Sequence, residues 1–228
     1  MNVAQYPLPL PHREAMEADD FLVASSNKDA VAWIDRWPDW PAHGMVVYGP
    51  AGAGKTHLAH VWRSKSRGKV LAAEDIGEAD PGLVVMSNRA LVIEDAACIG
   101  GRAEREQALL HIYNMLRENG GSMLLTARRP PAHWNIALPD LRSRLLAAPA
   151  IALLPPDDDL LIALLVKQFR DRQIDIGAEV VDYLLSRVER SPGAVRQLVV
   201  ALDRASLATG RKITIALARR VIETINAA

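Results

Sequence analysis

A glycine-rich loop in the first quarter of the chain has the residue types that bind nucleotide phosphates. The segment GPAGAGKT at 49–56 is a complete P-loop pattern, preceded by an apolar run and followed by a predicted helix. Its glycines let backbone N–H groups approach phosphate oxygens, its lysine meets the β- and γ-phosphates, and its threonine holds Mg²⁺. We therefore predict a nucleotide and Mg²⁺ site formed by Gly49, Gly52, Ala53, Gly54, Lys55 and Thr56.

Two acidic residues follow a second apolar run, Leu91–Ile93, in the pattern of a Walker B strand. An acid at the end of such a strand holds the water shell of the metal. Two assignments are open. Either Glu94 holds Mg²⁺ through water and Asp95 is catalytic, or Asp95 holds the metal and Ala96 leaves the catalytic position empty.

Three arginines are further candidates for phosphate chemistry. Arg142 and Arg144 lie two residues apart, and a guanidinium there could reach the γ-phosphate of a nucleotide on a neighbouring molecule, as an arginine finger. The alternative is that both form ordinary surface salt bridges. Arg196 lies near the start of a predicted C-terminal helix and could close onto the bound phosphates.

The N-terminal hexapeptide Gln5-Tyr-Pro-Leu-Pro-Leu10 has the pattern of a docking peptide. Its prolines pre-order an extended backbone, which reduces the entropy lost when the leucines enter a groove, and its glutamine can form hydrogen bonds. The alternative is an ordinary proline-rich tail.

The composition favours a soluble, cytoplasmic protein. The 228-residue chain has 27 basic and 27 acidic residues, so no net charge attracts it to nucleic acid or to an anionic membrane. It has neither the pattern of a signal peptide nor an apolar run of about 20 residues, which a bilayer-spanning helix needs. The single cysteine, Cys98, cannot form an internal disulfide, and we expect it to be a buried, inert thiol.

Alternating strand and helix patterns predict an α/β fold with a parallel sheet flanked by helices. Ser25–Asn27 is expected to cap a first helix that ends before Pro38. Strand-length apolar runs and helical periodicity then alternate, with strands at 44–48, 69–73, 90–93 and 122–126 and helices at 57–65 and 104–118.

After Leu154 only helical patterns follow, at about 159–172, 177–188, 192–209 and 215–225. We therefore predict an extended tail over 1–20, an α/β nucleotide-binding core over 21–154 and a helical lid subdomain over 155–228.

Taken in order, these motifs resemble the AAA+ module of the bacterial replication initiator DnaA and, more closely, the Hda family of DnaA regulatory inactivators. The P-loop and the acidic strand end come in the family's order. The other similar segments are FLVASSN at 21–27, LTARRPP at 125–131, LRSRL at 141–145 and GAVR at 193–196. The resemblance implies an AAA+ P-loop core with a C-terminal helical lid.

The resemblance also implies a negative regulator of replication initiation. It places the arginine finger on Arg144, acting in trans on ATP bound to DnaA, and the sensor 2 role on Arg196. The N-terminal peptide resembles the sliding-clamp-binding motif of the family. By this resemblance, the residues expected to contact the beta subunit of DNA polymerase III are Gln5, Leu8, Pro9 and Leu10. The resemblance implies that the protein contacts DNA only indirectly, through the clamp. It also favours ADP over ATP as the bound nucleotide.

Two positions depart from the family pattern. Arg128 stands where an acidic residue usually follows the sensor 1 threonine, so Thr126 is the substitute candidate for that role. Glu94 stands in place of the common aspartate, so we expect weak or no ATPase activity of the protein's own. The alternative function is an independent ATP-driven AAA+ machine such as a helicase loader. A finger acting in trans and an apolar tail also allow a homodimer.

Overall fold

The computed structural model describes residues 22–78, 80–86 and 88–226. The predicted docking peptide at 5–10 lies outside these residues. The described chain divides into two units. The core unit is Asn27–Leu154, and the lid unit joins Leu22–Ser26 to the residues from Pro155 onward.

Parallel strands form the centre of the core unit, which confirms the predicted α/β sheet. Among the described residues the sheet has five strands in the spatial order β2-β3-β4-β1-β5. They are β1 (Gly44–Tyr48), β2 (Lys69–Ala72), β3 (Ala90–Glu94), β4 (Ser122–Ala127) and β5 (Ala150–Ala152).

The register brings the carboxyl ends of the three middle strands to one edge of the sheet. β1 pairs with β4 up to Tyr48 opposite Ala127, and β3 pairs with β4 up to Ile93 opposite Leu125. Every residue of β4 is buried, so the sheet is covered on both faces there. This explains why the middle strands have nearly continuous apolar sequences.

Helices provide that cover. α2 packs against β3 and β4, and α4 packs against β4. The helices of the core unit are α1 (Lys28–Asp35), α2 (Lys55–Ser66), α3 (Pro81–Met86), α4 (Ala103–Glu118) and α5 (Pro139–Ala147).

The lid unit is helical, as predicted. Its helices are α6 (Asp158–Arg170), α7 (Ala178–Leu185), α8 (Pro192–Thr209) and α9 (Ile215–Asn226). Asp157 caps α6 by accepting a hydrogen bond from the Leu160 N–H at 2.8 Å, and the Ser191 hydroxyl accepts one from the Ala194 N–H at 3.1 Å at the start of α8. Apolar side chains such as Phe169 pack between these helices. Within the described ranges, every helix falls short of the length or the apolar character that spanning a bilayer requires.

Three elements were not predicted from the sequence: α3, α5 and β5. α3 and α5 have only 6 and 9 residues, too few for a strong helical period. β5 has three residues at the sheet edge, and Ala150 and Ala152 are exposed, so it lacks the buried apolar run of a central strand.

Two smaller predictions were wrong. Asn27 precedes α1, but its side chain does not cap the helix. Cys98 is exposed rather than buried, because it lies in a short 3₁₀ turn, Ala96–Ile99, that buries Ala96 and Ile99 instead.

Candidate nucleotide site

The P-loop connects β1 to α2, and its glycines are required by the local backbone. Gly52 and Gly54 have φ angles of +74° and +97°, which L-residues with a side chain rarely adopt. Gly54 is also the residue that precedes the first turn of α2. A Cβ on Gly49 would lie 2.2 Å from the carbonyl oxygen of Leu153. The loop therefore fits between the strand end and the segment after β5 only with glycine at these positions.

The Lys55 ammonium group lies at the mouth of this loop. Its Nζ donates hydrogen bonds to the carbonyl oxygens of Gly49 at 2.9 Å and Pro50 at 2.8 Å. An ammonium has three donors, so one is left beyond these two bonds. Burial lowers the pKa of Lys55, the Asp95 carboxylate opposes this effect, and the Arg128 guanidinium lowers the pKa further.

The other predicted residues of the loop differ in exposure. Ala53 is buried, whereas Thr56 is exposed in the first turn of α2. The Thr56 hydroxyl is thus accessible from solvent at the helix start, where a phosphate-bound cation would lie.

Two long-range hydrogen bonds join the P-loop, β3 and β4 at the carboxyl edge of the sheet. The Gly49 N–H donates to the carbonyl oxygen of Ala127 at 3.1 Å. The Asp95 N–H donates to the Thr126 hydroxyl oxygen at 3.2 Å. The structure therefore brings together the predicted phosphate loop, the acidic pair and the carboxyl end of β4, at the edge where ligands of parallel α/β sheets bind.

Glu94 and Asp95 face different surroundings in spite of being neighbours. Glu94 is the last residue of β3 and is half-buried, and its Oε1 is buried without a hydrogen-bond partner among the described residues. Asp95 is exposed and adopts the left-handed conformation, with φ +51°, which turns the chain out of the strand.

A magnesium ion fits these surroundings. A buried carboxylate oxygen without a partner is costly, and a cation or its bound water would satisfy it. The described residues contain no group of three His, Cys, Asp or Glu side chains that could hold a metal by themselves. An ion beside Glu94 would therefore depend on nucleotide phosphates for further ligands, as Mg²⁺ does in phosphate sites.

Arg144 lies on α5, and its contacts are with α5 and α4 rather than with the P-loop. Its Nη2 lies 3.1 Å from the Asp140 carboxylate, and its guanidinium carbon lies 5.4 Å from the centre of the Tyr113 ring. Its side chain is 21% exposed. Arg142, on the same helix, is exposed, and its side chain has no hydrogen bond or ion pair within the part of the chain that the structure describes.

Glu106 is a buried carboxylate that the sequence analysis missed. It is 1% exposed and accepts hydrogen bonds from three backbone N–H groups. These belong to Gly101 at 2.8 Å, Ala137 at 3.1 Å and Leu138 at 2.7 Å. Burial by itself would raise the pKa of Glu106, but the three backbone bonds outweigh it and hold the pKa below its usual value. Leu138 directly precedes α5, so Glu106 fixes the start of the helix that carries Arg144.

The helical periodicity of the sequence could have indicated that Glu106 is buried. It lies three residues before Leu109 and ten before Leu116, which places it on the buried face of α4.

Arg196 belongs to the lid unit. It is exposed in the first two turns of α8, behind the Ser191 cap. Its predicted sensor 2 role remains a prediction.

A cavity of about 330 Å³ lies at the opposite, amino-terminal edge of the sheet. Its lining includes Trp37, Trp40, His43, Ser66 and Arg89 and no residue of the P-loop. It is therefore separate from the candidate nucleotide site.

Comparison with known proteins gives one family match and several solved structures of similar fold. Residues 157–222 match the family model described as the Hda lid domain. Domain III of the replication initiation protein DnaA from Thermotoga maritima has a TM-score of 0.76 at 18% identity, over 90% of this chain and 94% of that one.

Two further solved structures have the same fold. AMPPCP-bound DnaA from Aquifex aeolicus has a TM-score of 0.69 at 18% identity, over 80% of this chain and 63% of that one. The Holliday junction branch migration motor RuvB of Thermotoga maritima has a TM-score of 0.64 at 17% identity, over 86% of this chain and 65% of that one. The parallel P-loop core thus has the AAA+ fold. The match of residues 157–222 to the Hda lid domain is consistent with an Hda-type relative of DnaA.

Proposed function

We propose that this protein is a negative regulator of replication initiation that stimulates the hydrolysis of ATP bound to DnaA. The main support for this proposal is the match of residues 157–222 to the Hda lid domain. The DnaA-like fold of the chain supports it.

The protein's own P-loop binds an adenine nucleotide in this proposal, with ADP favoured over ATP. Lys55 supplies the cation for the outer phosphates, and the N–H groups of the glycine loop and of the start of α2 surround them. The AMPPCP bound to DnaA from Aquifex aeolicus is a nucleotide of the same class. Arg196 of the lid unit is proposed as a further phosphate contact.

Glu94 and Thr56 would hold Mg²⁺ in the same site. When bound, the ion neutralises phosphate charge and orders the water around it. The buried, unpartnered Oε1 of Glu94 favours Glu94 over Asp95 for the metal side of the site. Asp95, exposed at the turn, is then left for the catalytic position, and we propose weak or no ATPase activity because a glutamate replaces the usual aspartate.

Arg144 is the proposed arginine finger for ATP on DnaA. Its guanidinium is held above the Tyr113 ring and beside Asp140, so the side chain has a defined position on α5 before a partner arrives. Arg144 and Asp140 form an i,i+4 pair on one helix, and such pairs contribute only about 0.3–0.5 kcal/mol, so exchanging Asp140 for a phosphate costs little. A guanidinium at the γ-phosphate stabilises the charge of the transition state.

The N-terminal peptide is the proposed link to the DNA-loaded sliding clamp. The proposal assigns the contacts with the clamp to Gln5, Leu8, Pro9 and Leu10, on the resemblance of their sequence to the clamp-binding motif. Binding to a clamp on DNA raises the local concentration of the AAA+ unit near DnaA without direct DNA contact.

The experiment that tests this function follows ATP already bound to DnaA. The protein is added to DnaA loaded with labelled ATP, with the clamp on DNA or with the clamp omitted, and conversion to ADP is measured. We expect rapid conversion only with the loaded clamp. Conversion that stays at the rate of DnaA alone, together with steady ATPase activity of this protein stimulated by single-stranded DNA, would instead support an independent AAA+ machine.

A further inference from the structure

Tyr113 forms the surface on which the Arg144 side chain rests. It lies on α4, is 7% exposed and belongs to the apolar core of the core unit. The Arg144 guanidinium carbon lies over its ring, 5.4 Å from the ring centre. This is within the distance at which the negative face of an aromatic ring attracts a cation. Tyr113 therefore connects the core to the arginine of α5.

β1 limits the movement of this ring. Gly44 is the first residue of β1, and a Cβ placed on it would lie 3.4 Å from Tyr113 Cε2. The ring edge thus lies close to the backbone of an interior strand of the sheet. Because a buried ring beside a strand has few alternative positions, the guanidinium rests on a rigid support.

Asp140 is a weaker restraint on Arg144 than the ring is. The pair has one contact, from Nη2 to the carboxylate at 3.1 Å, and the Asp140 side chain is 57% exposed. Pairs of this kind on one helix contribute little and are screened by salt. A phosphate can take the place of Asp140, whereas the ring contact requires no hydrogen-bond acceptor and leaves the N–H donors available.

The Arg144 Nε atom also indicates that the ring contact is significant. It is buried and has no hydrogen-bond partner among the residues that the structure describes. Burying an unpaired donor costs free energy, so other contacts of the side chain must offset that cost. Since the Asp140 pair is weak, packing on the Tyr113 ring is the main compensation.

We propose that Tyr113 is a positioning residue for Arg144, which holds the guanidinium both before and after a phosphate replaces Asp140. The inference rests on the proposed function, in which Arg144 acts on ATP bound to DnaA. An unsupported arginine samples many rotamers and loses that freedom when it meets the phosphate. A guanidinium already held by the ring loses less. The benefit therefore appears in the rate of hydrolysis rather than in the affinity for DnaA.

The test follows ADP formation on DnaA loaded with labelled ATP, with clamp-loaded DNA and increasing amounts of the full-length protein. Tyr113→Leu is expected to lower the maximal rate about tenfold, the effect of one partly buried cation–π contact, and to leave the half-maximal concentration within about twofold. Tyr113→Phe keeps the ring and the rate. In the Arg144→Ala background, Tyr113→Leu has no further effect, because the contact is already lost.

Two variants serve as controls. Tyr183→Leu removes a similar pair in the lid unit, where the Arg187 guanidinium carbon lies 3.9 Å from the ring centre, and should leave the rate unchanged. Asp140→Asn removes the ion pair but keeps the ring contact, and should change the rate by no more than about twofold.

Fluorinated phenylalanine in place of Tyr113 separates the charge of the ring from its packing. Successive fluorine atoms weaken the negative face of the ring but change its shape little. The maximal rate should fall with each added fluorine, while the midpoint of urea denaturation stays near that of Tyr113→Phe. The series tests the inference even where Tyr113→Leu does not fold.

A wild-type maximal rate for Tyr113→Leu, or a rate independent of fluorination, would overturn the inference. A loss in Asp140→Asn as large as that in Tyr113→Leu would also overturn it, because the ion pair would then be what holds Arg144. Full stimulation by Arg144→Ala would instead refute the proposed finger, on which the inference rests.

Discussion

At the scale of single residues, Gly49 of the P-loop is required by a residue that is distant in the sequence. Gly49 needs no special φ angle. It is required because the Leu153 carbonyl oxygen lies where its Cβ would be, 2.2 Å away. The Leu153 N–H in turn donates a hydrogen bond to the Tyr48 carbonyl oxygen at 2.7 Å. This bond restrains the segment after β5 from moving away from Gly49.

Gly49→Ala is therefore expected to distort the P-loop. The added methyl group must displace backbone rather than a flexible side chain, so we expect a loss of about 1–3 kcal/mol in the free energy of unfolding and a clear loss of ADP affinity. The two quantities are measured by urea denaturation and by nucleotide titration.

Gly193→Ala is the control for stability. It lies in the first turn of α8, where the nearest atom to its Cβ would be the Ser191 hydroxyl oxygen at 4.0 Å. We expect it to leave stability unchanged or slightly raised. Equal stability and affinity of Gly49→Ala and the wild type would show that the close approach to Leu153 is not rigid.

At the scale of elements, Glu106 connects α4 to the start of α5. Its buried carboxylate accepts hydrogen bonds from three backbone N–H groups, which belong to two separate loops. Because Leu138 is among the donors, this bond network sets where the arginine-bearing helix begins.

Glu106→Gln is expected to lower the free energy of unfolding by about 1–3 kcal/mol, because its amide group turns a donor towards backbone donors and leaves one unpaired. Glu104→Gln is the matched control. It lies exposed in the same first turn, and we expect a change within about 0.5 kcal/mol. Urea denaturation at neutral pH gives both values.

The contribution of Glu106 to the free energy of unfolding depends on pH. Because the pKa of Glu106 is lowered on folding, its contribution is fully present above the pKa of an unfolded glutamate and is lost as the pH falls through the lower, folded value. The wild type should therefore lose more stability on acidification than Glu106→Gln does. Parallel acid profiles of the two proteins would contradict this account.

The elements also show what could be predicted from the sequence. β1, β3 and β4 were predictable because they are buried on both faces, and the P-loop because its residues are contiguous. β5 was not, since a three-residue edge strand has no distinctive pattern. The bonds of Glu106 to Ala137 and of Asp95 to Thr126 were not either, because each joins residues 31 positions apart.

At the scale of the whole molecule, the proposed function combines a docking peptide with a nucleotide-binding AAA+ body. The peptide is proposed to bring the body to the clamp, and the body is proposed to act on DnaA. The two roles can be separated by mutation, because the peptide residues and Arg144 lie far apart in the sequence.

Leu8→Ala is expected to weaken capture of the protein by immobilised sliding clamp about tenfold or more, because it truncates an apolar anchor of the peptide. Gln5→Ala should act in the same direction. His12→Ala, just outside the hexapeptide, is the control, and capture should be unchanged. Undiminished capture of Leu8→Ala would refute the docking role, whatever the AAA+ body does.

A rate measurement on DnaA tests whether Arg144 completes the ATP site of that protein. DnaA loaded with labelled ATP is mixed with clamp-loaded DNA and with wild-type protein, Arg144→Ala or Arg142→Ala, and the rate of ADP formation is followed. An arginine finger contributes about 10³–10⁵ to the rate. We expect Arg144→Ala to return the rate to that of DnaA alone, with binding to DnaA and clamp retained, and Arg142→Ala to stimulate like the wild type. Full stimulation by Arg144→Ala would show that Arg144 is not the arginine finger.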